Sequence, residues 1–162
     1  MTNDQTARQA NIAAIGALPG QVAALTAGLT AEQLTTPYDK GEWTIAQNVH
    51  HLCDSHINSY IRCKLIATEE RPPLKPYDQD AWARFPDAEE ADMAASLALL
   101  GGLHSRWVLF WQTLPDDAWA RTGVHPESGA VSLDEQLRLY AEHGRAHLAQ
   151  MQRVMVAGGI EA

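Results

Sequence analysis

The sequence predicts an all-α fold, a four-helix bundle, and three observations carry that prediction. Four segments place apolar residues at the three-and-four spacing of an amphipathic helix. No segment alternates like a strand for more than a few residues, and the connection between the second and third helical segments is too long for a hairpin. A chain of 162 residues can bury a sizeable core as one unit, so residues 1–162 are read as a single domain.

The first helical segment spans about Thr6 to Ala27, with Ile12, Ile15, Leu18, Val22 and Leu25 on one face and Pro19-Gly20 as a point where it could kink. The second opens at Thr44, where Thr44-Ile45-Ala46-Gln47 has the spacing of a capping box, and lasts to Thr68. The third is expected to begin near Asp87, with Glu90 three residues on. Met93, Leu97, Leu100, His104, Trp107, Trp111 and Leu114 then form a strict seam of core residues. The fourth opens at a second capping box, Ser132-Leu133-Asp134-Glu135, and runs through Leu137, Tyr140, Gly144, His147, Met151 and Val154 to Gly158-Gly159. Between the second and third lies Glu69 to Pro86, with Pro72, Pro73, Pro76 and Pro86. This stretch can run the length of the bundle as a long crossover, with Tyr77, Trp82 and Phe85 pinning it to the helices.

Charge and composition narrow the function classes. Twelve Lys and Arg against twenty Asp and Glu give a net charge of −8, which repels nucleic acid and anionic membrane surfaces. No apolar run approaches the ~20 residues of a membrane span, and the opening Met1-Thr2-Asn3-Asp4 does not read as a secretory leader. Cys53 and Cys63, ten apart on one helix, sit roughly 15 Å from each other and cannot pair. Reduced thiols and the lack of a leader point to a cytoplasmic protein.

The seven histidines need an explanation. His143 and His147, four apart on the fourth helix, project from one face and could share a metal ion. Such a pair is weak evidence alone, since roughly 0.26 pairs at this spacing are expected by chance and the HExxH glutamate is missing. Position strengthens it, because His147 lies on the apolar seam and Gly144 leaves space on that seam. A third ligand would come from the second helix, which offers His50, His51 and His56. Periodicity alone favours His56, on the apolar line with Ile45, Val49, Leu52 and Cys63. His51 lies instead on a polar stripe with Asn48, Ser55, Asn58 and Arg62, which is either a solvated face or the wall of a polar cleft.

The order Trp43-Thr44-Ile45-Ala46-Gln47-Asn48-Val49-His50-His51-Leu52, then Asp54-Ser55-His56-Ile57-Asn58-Ser59-Tyr60-Ile61-Arg62, then Pro76-Tyr77-Asp78 and Trp82, resembles the YfiT-like branch of the DinB superfamily. Leu103 to Val108, His125-Pro126-Glu127 and Tyr140-Ala141-Glu142-His143-Gly144-Arg145-Ala146-His147 continue the match, so it covers nearly all of Gly41 to Gln150. The resemblance implies an up-down-down-up bundle, a homodimer, and one divalent metal per chain, zinc or nickel, held by His51, His143 and His147. It thereby selects His51 where periodicity selects His56. Gln47 departs from the pattern, because many superfamily members carry Glu four residues before the metal histidine.

Three neutral imidazoles leave a tetrahedral ion with one open position, which suits catalysis more than structure. The resemblance therefore implies a metal-dependent hydrolase acting on a small-molecule substrate, with Asp54, Glu142 or His50 as unranked candidates for handling the proton. Two rivals stand beside it. One is a thiol S-transferase using a low-molecular-weight thiol, whose carboxylates Arg62 and Arg145 could pair with; the other is a non-catalytic metal-binding dimer. His104 reads as a core histidine or a support behind the site, His125 as a loop residue, Trp107 and Trp111 as core or dimer face, and Cys53 and Cys63 as small hydrophobes.

Overall fold

The computed structural model describes residues 3–160. Met1 and Thr2, part of the stretch read as carrying no leader, and Glu161 and Ala162, the end of the expected domain, lie outside the described residues. The elements are α1 (Asn3–Thr26), α2 (Ala31–Thr35), α3 (Ile45–Thr68), α4 (Gln79–Trp82), α5 (Pro86–Glu89), α6 (Ala94–Gln112), a 3-10 turn (Asp116–Ala118), β1 (Thr122–His125), β2 (Gly129–Ser132) and α7 (Leu133–Ala157).

Both predicted capping boxes form. The Thr44 hydroxyl accepts the Gln47 amide at 3.2 Å while Gln47 Oε1 accepts the Thr44 amide at 2.9 Å. Ser132 and Glu135 repeat the exchange at 3.2 and 2.7 Å. Each box satisfies two amides that a helix start would otherwise leave unpaired, so α3 and α7 begin where the sequence says. The third long helix does not begin at Asp87. Pro86 opens a separate single turn that ends at Glu90, whose backbone is extended, and α6 starts at Ala94 with its amide donating to Asp92 Oδ1 at 2.9 Å. α1 runs unbroken through Pro19.

Helix directions follow from which ends meet. Arg8 pairs with Asp134 at 2.5 Å, and a Cβ at Gly144 would meet Leu18, so α1 and α7 run parallel. Ile12 shares a cavity with Trp111 and Leu114, and Pro19 another with Gly101, so α6 is antiparallel to α1. His50 meets Ser96 and His56 meets His104, which makes α3 and α6 parallel. Asn48 meets His147 and Ser59 meets Gln136, which makes α3 and α7 antiparallel. The bundle is therefore up-down-down-up, and two consecutive parallel helices require the long crossover between them.

That crossover, residues 69–93, is held by small and aliphatic side chains and, of the expected aromatic trio, by Tyr77 alone. Leu74, Ala83, Ala88 and Met93 are buried, and Gln47 Nε2 donates to the Ala83 carbonyl at 2.8 Å. Tyr77 is half-buried, with its hydroxyl hydrogen-bonded to the Ser55 side chain on α3 and its ring tilted against Trp82 at a centroid distance of 4.5 Å, but Trp82 is 37% and Phe85 56% exposed. The short turns present their small residues to the bundle, which turns Trp82 and Phe85 outward.

The β1–β2 hairpin is the element the sequence does not announce, because four residues per strand give too little alternation. It pairs Thr122 with Ser132 through His125 with Gly129, and it grips the crossover where the Leu74 amide donates to the Val124 carbonyl at 2.8 Å. Gly123 makes that grip possible: a Cβ there would lie 2.7 Å from Leu74 Cδ2 and 3.0 Å from Ile66 Cγ1. Leu74 and Ile66 are both buried and cannot swing into solvent. Gly123→Ala should therefore destabilise the fold by about 1–3 kcal/mol through overpacking, read as a lowered Tm in thermal unfolding.

The core is in two parts. One gathers Leu18, Val49, Leu52, Leu100 and Met151; the other gathers Ile15, Trp107, Trp111, Trp119 and Leu137. Trp107 and Trp111 are thus core residues. Along α3, α6 and α7 the change from one part to the other falls at His56, His104 and His143, a polar layer inserted into the bundle.

Candidate metal centre

α7 supplies two imidazoles one turn apart, and α3, running antiparallel beside it, supplies a third. One nitrogen from each of His51, His143 and His147 lies within 4.8 Å of the other two. The nitrogens that converge are Nε2 atoms: His143 Nε2 is 3.3 Å from His51 Nε2 and 3.2 Å from His147 Nε2. Metal–nitrogen bonds of 2.0–2.1 Å in a tetrahedral site put ligand nitrogens roughly 3.3 Å apart, so both spacings fit a divalent ion at the centre. The side chains are ready for it in charge as well. Burial first, and the neighbouring His147 second, push His51 down to about 3. Burial followed by His147 and His51 pushes His143 to about 3, and burial takes His147 to about 4. All three are neutral at pH 7, which is the form that binds a cation.

The surroundings orient these rings. His147 Nδ1 lies 2.8 Å from Asn48 Oδ1. Asn48 Nδ2 donates to the Thr44 and Trp43 carbonyls at 3.0 and 3.4 Å, so its oxygen is left to accept and His147 must carry its proton on Nδ1. Trp43, the residue before the α3 cap, lies over the site, with its ring 4.6 Å from His51 and stacked at 6.0 Å on His147. Neither role follows from periodicity. The available signal for Asn48 is its place one turn before His51 on the same stripe.

The polar stripe of α3 is not a solvated face but lies against the rest of the bundle. Asn48, His51 and Ser55 are buried, with His51 only 4% exposed, and Asn58 and Arg62 are half-buried. His56, which periodicity favoured, is indeed on the buried line but stands behind the cluster: its Nε2 is 3.2 Å from His143 Nδ1 and its Nδ1 2.8 Å from His104 Nε2. Gly144 does not make room for an imidazole as expected; it faces α1, where Leu18 fills the space.

Several other candidates fall away from the cluster. His50 is committed to Ser96 Oγ at 2.8 Å and the Glu90 carbonyl at 3.0 Å, fastening α3 to α6 and the crossover. Glu142 is exposed and paired with Arg138 at 3.0 Å. Arg145 lies on the α1 side of α7, beside Gln21 and Leu148. His125 ends β1 and lines a cavity of about 360 Å³ with Arg62 and Tyr140, while an Arg62 guanidinium nitrogen donates to the Lys75 carbonyl at 2.5 Å. Cys53 and Cys63 are buried, free thiols pushed up to about 11 and about 12, chiefly by burial, and so remain protonated. Gln47 is spent on the cap and the crossover. Asp54, one turn beyond His51, remains: it is half-buried, and burial together with Asp87 raises its carboxyl above the usual range.

Comparison with known proteins places this geometry in context. The sequence pattern of the DinB superfamily matches residues 15–151. A Bacillus subtilis protein, YfiT, provisionally named a metal-dependent hydrolase, is 47% identical over 124 residues, covering 76% of this chain and 70% of its own. A Bacillus mycoides protein with the same provisional name is 45% identical over 134 residues, covering 83% and 77%. The solved structure of Bacillus subtilis YfiT, described as having an unusual four-helix bundle topology, superposes with a TM-score of 0.92 at 38% identity, over 99% of this chain and 91% of that one. A mycothiol-dependent maleylpyruvate isomerase shares the fold at TM-score 0.70 and 15% identity, over 93% and 63%.

Proposed function

The chain belongs to the DinB superfamily, and from that membership we propose that it is a metal-dependent hydrolase of a small-molecule substrate, with one ion held by His51, His143 and His147. One observation carries the reading: three neutral imidazoles from α3 and α7 turn their Nε2 atoms to a common point. Zinc and nickel both suit an all-imidazole donor set, and which one is loaded depends on supply. When bound, the ion supplies a Lewis acid, able to polarise a carbonyl and to bring the pKa of a water toward ~7.

The chain's own residues do the rest. Asn48 holds His147 in the tautomer that leaves Nε2 free, and Trp43 shields one side of the cluster from bulk water. Asp54, the half-buried carboxyl one turn beyond His51 with a raised affinity for protons, is the group to take and return the proton during ester or amide cleavage. No described helix is long and apolar enough to cross a membrane, and a cytoplasmic homodimer acting on a soluble substrate is the setting that completes the reading.

The test is turnover of an ester and amide panel by zinc- or nickel-reconstituted protein, with water alone and with a low-molecular-weight thiol added. Hydrolysis without thiol, reduced about 10²-fold or more in kcat by Asp54→Asn, is the expected result. Product that forms only when thiol is present would replace hydrolysis with S-transfer. No turnover, together with a sharp loss of Tm on chelation, would make the ion structural.

A further inference from the structure

Behind the three converging imidazoles lies a second file of histidines that ends on a backbone carbonyl. His143 Nδ1 meets His56 Nε2 at 3.2 Å, His56 Nδ1 meets His104 Nε2 at 2.8 Å, and His104 Nδ1 meets the Ile15 carbonyl oxygen at 2.6 Å. His56 is 0% and His104 1% exposed. Ile15 sits in the middle of α1, where its carbonyl would ordinarily accept the amide four residues on. That residue is Pro19, which has no amide hydrogen. The proline thus leaves one acceptor inside a continuous helix unclaimed by that helix, and His104 takes it.

A carbonyl only accepts, so the proton of His104 is on Nδ1 and its Nε2 presents a lone pair. His56 must then donate from Nδ1 and accept at Nε2, and His143 must donate from its own Nδ1. Every ring in the file is neutral, as the burial of His56 and His104 between facing imidazoles requires. The direction set at Ile15 is passed through two rings and emerges at His143 Nε2 as a lone pair. Opposite it, His147 also presents a lone pair, because Asn48 has claimed its other nitrogen. Two lone pairs facing each other at 3.2 Å repel unless a cation lies between them.

Resting on the proposed metal site, we propose that His56 and His104, anchored on the Ile15 carbonyl that Pro19 leaves free, are positioning residues that lock His143 as the Nδ1–H tautomer with Nε2 turned to the metal. Acting through His143, they hold the ligand in its binding form before the ion arrives. They also raise its basicity by accepting, through His56, the proton on its far nitrogen.

Tautomers can be read directly. Long-range nitrogen–hydrogen correlation spectra of the metal-free wild type, at about pH 8 where free imidazole (pKa ~6.5) is neutral, should show His104, His56 and His143 all protonated on Nδ1. His143 protonated on Nε2, or exchanging between both forms, would overturn the proposal without any variant being made. In parallel, calorimetric zinc titration of His56→Phe should give a Kd about 10–100-fold weaker than wild type with His143 now in mixed tautomers. His56→Gln, whose amide can donate to His104 and accept from His143, should restore most of that loss. Zinc affinity unchanged in folded His56→Phe but abolished in His143→Ala would overturn the relay while leaving the metal site standing. A locked Nδ1–H His143 in a protein that takes up no zinc or nickel would do the reverse, upholding the relay and removing the metal reading.

Discussion

Replacing His147 by alanine is expected to leave a folded helical protein that no longer retains a divalent ion. Its ring faces Asn48, Trp43 and the other two imidazoles rather than either apolar part of the core. Loss of the ring therefore removes a ligand without opening a hydrophobic cavity, and two imidazoles are too few to close a site that uses three. Elemental analysis after reconstitution should fall from about one equivalent of zinc or nickel per chain to essentially none, while far-UV circular dichroism stays near wild type. His51→Ala should behave the same way. His56→Ala is the informative contrast: it stands behind the cluster, so stoichiometric metal at saturation should survive there with weakened affinity. Metal retained in His51→Ala and lost in His56→Ala would reverse the assignment of the α3 ligand.

The second large effect is on acid stability of the metal-free protein. In the unfolded chain each histidine titrates near 6.5, whereas in the folded protein His51 and His143 are held at about 3 and His147 at about 4. The folded state therefore binds fewer protons than the unfolded state across that interval, and stability rises with pH there. It is present in full above 6.5 and is lost as the pH falls from 6.5 toward 3–4. For a ring lowered from 6.5 to about 3, the loss approaches ~4–5 kcal/mol by the acid end of the window. His143 is lowered as far and His147 somewhat less, with His56 and His104 displaced in the same direction, so the combined loss is comparable to the ~5–15 kcal/mol of an ordinary domain. Unfolding should accordingly be complete before the folded-state values are reached, with a midpoint between about pH 4 and 6. Excess zinc, whose proposed site exists only in the folded form, should move that midpoint to lower pH. Fluorescence of the core residues Trp107 and Trp111 against pH, with and without metal, reads both quantities; a metal-free protein still folded at about pH 3 would refute the argument.

What the sequence made legible was whatever repeats or is capped. Two capping boxes fixed the starts of α3 and α7, and the three-and-four seam placed Leu100, His104, Trp107 and Trp111 inside. The start of α6 was not legible, because Pro86, Asp87 and Glu90 make a credible helix opening that the non-helical residues 90–93 then cancel. The hairpin was too short to show a period. In the site, spacing found His143 and His147 as a pair but could not distinguish the two layers of histidine on α3. His56 and His51 are five apart, both are buried, and which of them reaches the α7 pair depends on how α3 is rotated against α7. Only the resemblance pointed to His51. Pro19 reads in the sequence only as a possible kink in α1, since what a missing amide does is visible only once its carbonyl partner has a neighbour.

The up-down-down-up path also has a meaning in time. His51 and His143 are 92 residues apart in the chain, on the second and last of the long helices. At the ~5–20 residues per second of synthesis, α7 follows His51 out of the ribosome by roughly 5–20 seconds. A growing chain thus lacks two of the three imidazoles of the proposed site until α7 docks. Metal loading at that site would have to wait for α7, long after His51 has been made.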